Sequence, residues 1–423
     1  MIIIKEKNTQ RPMRTLVKNI KSLLQVEEAP RQRVCGADMA HIDHIENAYL
    51  IVEDDKFAAY GPMSELKEET FDKEVDARGR MVMPSFCDSH THLVYAGSRE
   101  IEYIDKIRGL SYDEIAKRGG GILNSAKRVQ EASEQQLYDD AMSRLENIIR
   151  YGTGAVEIKS GYGMTPEAEL KMLRVIRRLK ENSPLTIKST LLGAHGIPME
   201  FRGRQEKFVD MVIERMIPQA AEEGLADYID VFCDEGFFTV EDTERMLEAG
   251  ARYGMRPKIH ANEMACSGGI QCAVKYNALS CDHLEYTGDA EIECLLGSET
   301  MPTVLPGAAF FLNMQHAPVR KMMEAGLAVA MASDYNPGSS PSGNMQLVLS
   351  FACVNYRMLP EEAINATTIN SGYAMGVSDQ LGSIALGKRA NFYLTTEIPT
   401  YEYLPYAYGE NKVWKAFLNG REV

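Results

Sequence analysis

No stretch of the 423-residue chain approaches the about 18 uninterrupted apolar residues that a membrane-crossing helix needs. The Met1-Ile2-Ile3-Ile4-Lys5 start is apolar for too few residues to form a secretory core, so the expected setting is the cytoplasm, with no membrane partner. Positive charge is also short: 46 Lys and Arg stand against 60 Asp and Glu, a formal charge of -14. That field repels phosphate backbones and argues against nucleic acid as a partner, and an anionic substrate would need its own local cation. The eight cysteines include no C-x-x-C pair. Cys87, Cys233 and Cys281 sit inside apolar runs and read as small core residues, not as a disulfide framework or a zinc knuckle. Low-complexity tracts and internal repeats are missing as well.

What is there is an alternation of strands and helices. Strand candidates are the run from Met81 into Asp88-Ser89-His90-Thr91-His92, then 155–158, 185–192, 228–233, 257–259, 278–280, 303–305 and 327–332. Helices are expected over 134–150, over 166–180 with Thr165 as N-cap and Pro166 in the first turn, over 205–223, and over 239–253. Eight strands alternating with helices predict an α/β fold, a (β/α)8 TIM-like barrel over 85–376, although an open doubly wound sheet fits the same pattern. The segments 1–84 and 377–423 carry short strands and turns, including 49–52 and 56–61 near the start and 390–394 and 413–418 near the end. They are expected to pair into one small composite β-sandwich domain built from both termini. Residues 95–121 read as a long polar loop, and His41 and His44 as surface residues.

The chemistry gathers at the strand ends, where a barrel builds its site. His90 and His92 leave one strand on the same side, because side chains alternate along a strand. His195, His260, His283 and Asp334 follow other strands, so five of the eight histidines fall at strand ends. Neutral imidazoles with one carboxylate suit one divalent metal, zinc first and iron second. His90, His92, His260 and Asp334 are assigned as its ligands, with an open position for water, whose pKa zinc would lower to about 7. Glu263, three residues past a ligand, is placed as the general base. His283 is placed as the group that polarises the scissile carbonyl, although it could instead be a ligand. Asp334 thus counts among both the metal and the catalytic residues. Lys159 is the one candidate for a bridging lysine between two metals; one metal is the simpler expectation. Arg99, in the long loop, could clamp a carboxylate by two parallel hydrogen bonds. Tyr112, Tyr162 and His195 could orient a small polar ring, and the Asn336-Pro337-Gly338-Ser339-Ser340 turn offers polar groups to a ligand.

With these residues in view, the chain resembles the amidohydrolase superfamily over nearly its full length. Met83-Pro84-Ser85-Phe86 leading into the His90/His92 strand and Gly387-Lys388-Arg389-Ala390-Asn391 near the end are general marks of that superfamily. More specific are 92–99, Glu157-Ile158-Lys159-Ser160-Gly161-Tyr162-Gly163, Leu192-Gly193-Ala194-His195, Asp282-His283-Leu284-Glu285-Tyr286 and 333–339, which resemble the branch acting on an imidazolone in histidine breakdown. The resemblance implies hydrolysis of the cyclic amide of 4-imidazolone-5-propanoate to N-formimidoyl-L-glutamate, in a homodimer, on a small anionic substrate. It implies the same four metal ligands and the same base. It implies substrate contacts from Arg99, Tyr162, His195 and Ser339, with Asn336 and Gly338 near the product. Asn262 departs from the family, which usually has Asp there. Two other readings stand beside this one: a deaminase of a purine, pyrimidine or pterin ring, and a catalytically silent barrel serving as a scaffold.

Overall fold

The computed structural model describes residues 11–110 and 120–423; the Met1–Lys5 start and Tyr112 lie outside the described residues. Strands β1 (Arg14–Leu24), β2 (His44–Glu53), β3 (Lys56–Pro62), β4 (Lys73–Asp76) and β5 (Met81–Pro84) come first. The barrel strands follow: β6 (Phe86–Thr91), β7 (Thr153–Lys159), β8 (Thr186–Ala194), β9 (Tyr228–Cys233), β10 (Arg256–Ala261), β11 (Ser280–His283), β12 (Met301–Val304) and β13 (Ala330–Met331). Strands β14 (Phe392–Thr395), β15 (Val413–Leu418) and β16 (Arg421–Glu422) end the chain.

Strands β6 to β13 lie side by side in chain order, each parallel to the next. The ring closes where the segment after β13 returns to β6, through His92 N–H to Tyr335 O at 2.9 Å and Asp334 N–H to His90 O at 3.0 Å. This closure carries Asp334 to the His90/His92 pair. The eight strands expected from sequence are the eight observed, with β13 cut to two residues.

Both termini build one second sheet, in the order β16-β15-β14-β5-β1-β2-β3 with β4 on β1. It curls until Phe57 of β3 meets Phe392 of β14, ring centroids 5.9 Å apart, around its own apolar cluster with Ile20, Leu50 and Phe417. Strand β5 runs on into β6 across Ser85, so the composite sheet feeds directly into the strand that bears the histidine pair.

Local signals act where the sequence puts them. Thr165 Oγ1 accepts from Ala168 N–H at 3.2 Å and opens the helix Pro166–Asn182. Thr239 and Asp242 form a reciprocal capping pair at the start of Val240–Arg252. Two expectations need correction. The stretch 205–223 is helical but widens to a π-turn over Val212–Met216, just before Pro218, whose missing N–H cannot continue the regular ladder. The long polar segment from 95 contains a helix, Glu100–Ile107, whose outward apolar residues Ile101 and Ile107 hide the usual inward stripe.

Candidate active site

Five imidazoles and two carboxylates meet at the C-terminal mouth of the barrel. The His90 and His260 rings are 4.5 Å apart, His90 and His92 5.3 Å, His260 and His283 5.3 Å, and His92 and His195 4.9 Å. Nε2 of His90 and Nε2 of His92 lie 3.3 Å apart, and each is 3.6 Å from Oδ1 of Asp334. His90, His92 and Asp334 form one set of converging donor atoms, and His260 shares a second set with His90 and His283 and a third with His92 and His195.

The direction of each lone pair is fixed from behind. His90 Nδ1 donates to Asp282 Oδ2 at 2.6 Å, and His260 Nδ1 donates to Asp230 Oδ1 at 3.0 Å. A carboxylate only accepts, so each ring keeps its proton on Nδ1 and turns a bare Nε2 into the cluster. His260 Nε2 has no hydrogen-bond partner among the described residues, although the side chain is buried. Burial, reinforced by Lys159 and the other imidazoles, holds His90 well below the usual imidazole range, and burial with His195 does the same for His92. Burial pushes the Asp334 carboxyl up to about 7; for Glu263, burial first and then the charges of Asp334 and Asp234 push it up to about 8. Neutral rings with orphaned lone pairs, beside carboxyls that lack a counter-charge, are what a divalent cation would satisfy, so the residues fit one.

The strand ends are strained to achieve this. Asn262, His283, Leu284 and Asp334 all have positive φ, at 55°, 87°, 74° and 52°. Asn262 tolerates that conformation, and its Nδ2 donates to Tyr286 O at 2.8 Å, a bond an ionised aspartate could not make. Asp234 accepts from the Glu263 and Met264 N–H groups at 2.7 and 2.9 Å and so fixes the turn that aims Glu263. Glu263 Oε2 is 3.6 Å from His283 Nε2.

Below the cluster lies a charged layer. Lys159 Nζ sits 2.6 Å from Glu157 Oε1 and 2.8 Å from Asp230 Oδ2, and Lys258 pairs with Glu157 and donates to Ser89 O at 3.0 Å. Lys159 is raised above its ordinary value: burial works against its charge, but Asp230, Glu157 and Asp282 outweigh it. In this structure it is committed to ion pairs. Sequence reasoning missed Glu157, Asp230, Lys258 and Asp282 as parts of the site. Their signal was a charged residue inside an otherwise apolar strand.

A cavity of about 700 Å³ opens over the donors and is lined by Arg99, Tyr162, His195, Asn336, Gly338 and Ser339 together with Glu263 and His283. Arg99 differs from its expected pose. Its Nε and Nη2 face is taken by Glu102, at 2.7 and 2.6 Å, and Nη1 lies so close to Gly338 that a Cβ there would fall 2.2 Å away. The Asn336 side chain is spent on its own turn: Oδ1 accepts from Gly338 and Ser339 N–H, both at 2.8 Å, and Nδ2 donates to Asp334 O at 2.7 Å. Lys106 and Arg202 also line the cavity and were not foreseen, Lys106 because its helix was not.

A parallel barrel with histidines and an aspartate at its mouth, fed by a terminal β unit, defines a metal-dependent hydrolase, and the amidohydrolase family profile matches residues 81–423. The chain belongs to that family, and within it to the imidazolonepropionases. It is 51% identical over 411 residues to the imidazolonepropionase of Christiangramia forsetii and likewise to that of Flavobacterium johnsoniae, covering 97% of this chain and 100% of each relative. The enzyme of that name from Caldanaerobacter subterraneus is 42% identical, covering 90% of this chain and 91% of its own. Among solved structures, a mutant of atrazine chlorohydrolase from Arthrobacter aurescens complexed with zinc and atraton superposes with a TM-score of 0.71 at 15% identity, covering 96% of this chain and 94% of that one. Guanine deaminase from C. acetobutylicum with bound guanine gives 0.70 at 14% identity, covering 97% and 100%. At such identities these two speak for the fold alone.

Proposed function

We propose that this chain hydrolyses 4-imidazolone-5-propanoate to N-formimidoyl-L-glutamate in histidine breakdown. The convergence of bare donor atoms at the barrel mouth carries this reading, together with relatives of that activity at 51% identity. His90, His92, His260 and Asp334 would hold one divalent cation, zinc in first place and iron in second. When bound, the cation supplies an acidified water and a Lewis acid for the amide carbonyl.

The chain's own groups do the rest. Glu263 takes the proton of the attacking water and passes it to the ring nitrogen as the C–N bond breaks, so water adds across the amide and no other product forms. His283 donates from Nε2 to the carbonyl oxygen as negative charge grows there. Tyr162 and His195 pack against the ring, Ser339 offers its hydroxyl, and Asn336 shapes the turn that presents it. Arg99, with Lys106 beside it on the cavity wall, supplies the positive charge that the propanoate requires in a chain of net charge -14. Gly338 leaves room for the guanidinium.

A homodimer in the cytoplasm, expected from the family, belongs to this proposal; among the described residues no helix is long and apolar enough to cross a membrane. The test is the decay of imidazolone absorbance with purified protein, read alongside ammonia. Ring opening gives formimidoylglutamate without ammonia, whereas ammonia released in step with turnover of an amino-substituted ring would favour the deaminase reading. Glu263→Gln should lower kcat by about 10²- to 10⁴-fold while metal content stays the same. An unchanged rate would remove Glu263 as the base.

A further inference from the structure

On the Nδ1 side of His283 lies a group of buried polar atoms that the reaction as drawn does not use. The Glu285 side chain is wholly buried, and neither of its carboxyl oxygens has a hydrogen-bond partner among the described residues. Two further buried atoms share that lack: Nδ1 of His283 and the hydroxyl of Tyr356. Oε2 of Glu285 stands 3.9 Å from His283 Nδ1, and the Tyr356 hydroxyl lies within electrostatic reach of the same carboxyl. Buried polar atoms are nearly always partnered, so several orphans in one place call for a reason. The 3.9 Å gap is outside hydrogen-bond range, but a small turn of either side chain closes it, and catalytic hydrogen bonds commonly tighten only in the substrate complex.

The chemistry of His283 supplies the reason. To stabilise an oxyanion from Nε2, the ring must keep a proton on that nitrogen, and Nδ1 must then accept a hydrogen bond or carry a second proton. An acidic O–H placed behind Nδ1 meets both needs. We infer that Glu285 is a positioning residue for the hydrolysis, its protonated carboxyl donating a hydrogen bond to Nδ1 of His283 so that Nε2 always presents a proton to the substrate carbonyl. This rests on the reading of the site as an imidazolone hydrolase and adds a part to it. In the resting state the proton sits on Glu285 and is donated to Nδ1. The proton stays on Glu285 throughout: the hydrogen bond to Nδ1 fixes the ring with its own proton on Nε2, and none is gained or lost. The setting suits a carboxyl that keeps its proton, because the side chain is wholly buried and no Lys or Arg lies in ion-pair range of it among the described residues.

The test compares Glu285→Leu and Glu285→Gln with the wild type, after the wild type has been shown to open the imidazolone ring; an inactive, metal-loaded wild type would defeat the hydrolase reading itself and leave nothing to compare. Leu removes the donor. Gln keeps an N–H that can donate to Nδ1. Glu285→Leu should lower kcat about 100-fold, the low end of what an oxyanion donor supplies, with KM and bound metal unchanged. Glu285→Gln should recover most of that loss. In ¹⁵N-histidine spectra the His283 Nδ1 signal should move toward that of a bare ring nitrogen in the Leu variant and remain near its wild-type position in the Gln variant. A folded Leu variant with wild-type kcat, or an Nδ1 signal identical in all three proteins, would overturn the inference. Should the Leu variant fail to fold, the Gln variant decides through its Nδ1 signal alone: one already at the bare-nitrogen position overturns the inference, and one near the wild type supports it.

Discussion

The charged layer within the barrel and the donor cluster above it are both buried, both polar and only a few residues apart in sequence, yet they are satisfied in opposite ways. In the layer each charge has an opposite partner: Lys159 with Glu157 and Asp230, and Lys258 with Glu157 and, at 3.9 Å, Asp282. In the cluster, among the described residues, His260 Nε2 has no hydrogen-bond partner, and Nε2 of His90 and of His92 face one another and Asp334 with no cationic side chain between them. Two strands show the contrast within a few residues, since Lys258 below and His260 above belong to β10, and Asp230 just under the mouth of β9 orients His260. Desolvating a charge is costly unless it is paired, so the layer is self-sufficient and holds the barrel's shape. The cluster is left incomplete, and that incompleteness is the mark of a ligand.

Breaking the layer should therefore cost stability, whereas disturbing the cluster should cost binding. Lys159→Met leaves Glu157 and Asp230 short of a buried counter-charge and should destabilise the fold by about 3–5 kcal/mol, measured by denaturant unfolding of the metal-free protein. A loss below about 1 kcal/mol would show that the layer does not carry the load assigned to it. Asp282→Asn sits on the boundary: an amide can face His90 Nδ1 with either end, so the ring's proton is no longer fixed. It should weaken metal binding about 10- to 100-fold in chelator competition while leaving the fold intact. Arg99→Lys, at the rim, should have the smallest effect, a several-fold rise in KM with kcat nearly unchanged, because a point charge replaces a fork already half occupied by Glu102. Gly338→Ala should act in the same direction by pushing the guanidinium away.

The sequence made much of this visible, for identifiable reasons. Strand ends are marked by a polar residue after an apolar run, and His90, His260, His283 and Asp334 each fit that description. Thr165 and Thr239 announce helices because a hydroxyl accepts from the first free N–H groups. The layer was harder to see, since hydrophobic periodicity treats Glu157, Lys159 and Lys258 as departures from the core when they are partners within it. Which residues pair across the barrel depends on strand register, and no local pattern carries that. The helix Glu100–Ile107 was lost for a related reason: its apolar residues Ile101, Ile104 and Ile107 face outward and its Glu102 and Asp105 are buried. Arg99 was found by its charge, but its bond to Glu102 required that helix.

The most direct test of the central claim is to strip the protein with a chelator, confirm the loss of metal, and return zinc in measured steps while following ring opening. A donor set built for one cation predicts that activity disappears with the metal and returns in proportion, reaching its plateau at one zinc per chain. Full turnover by protein holding no measurable metal would contradict the account.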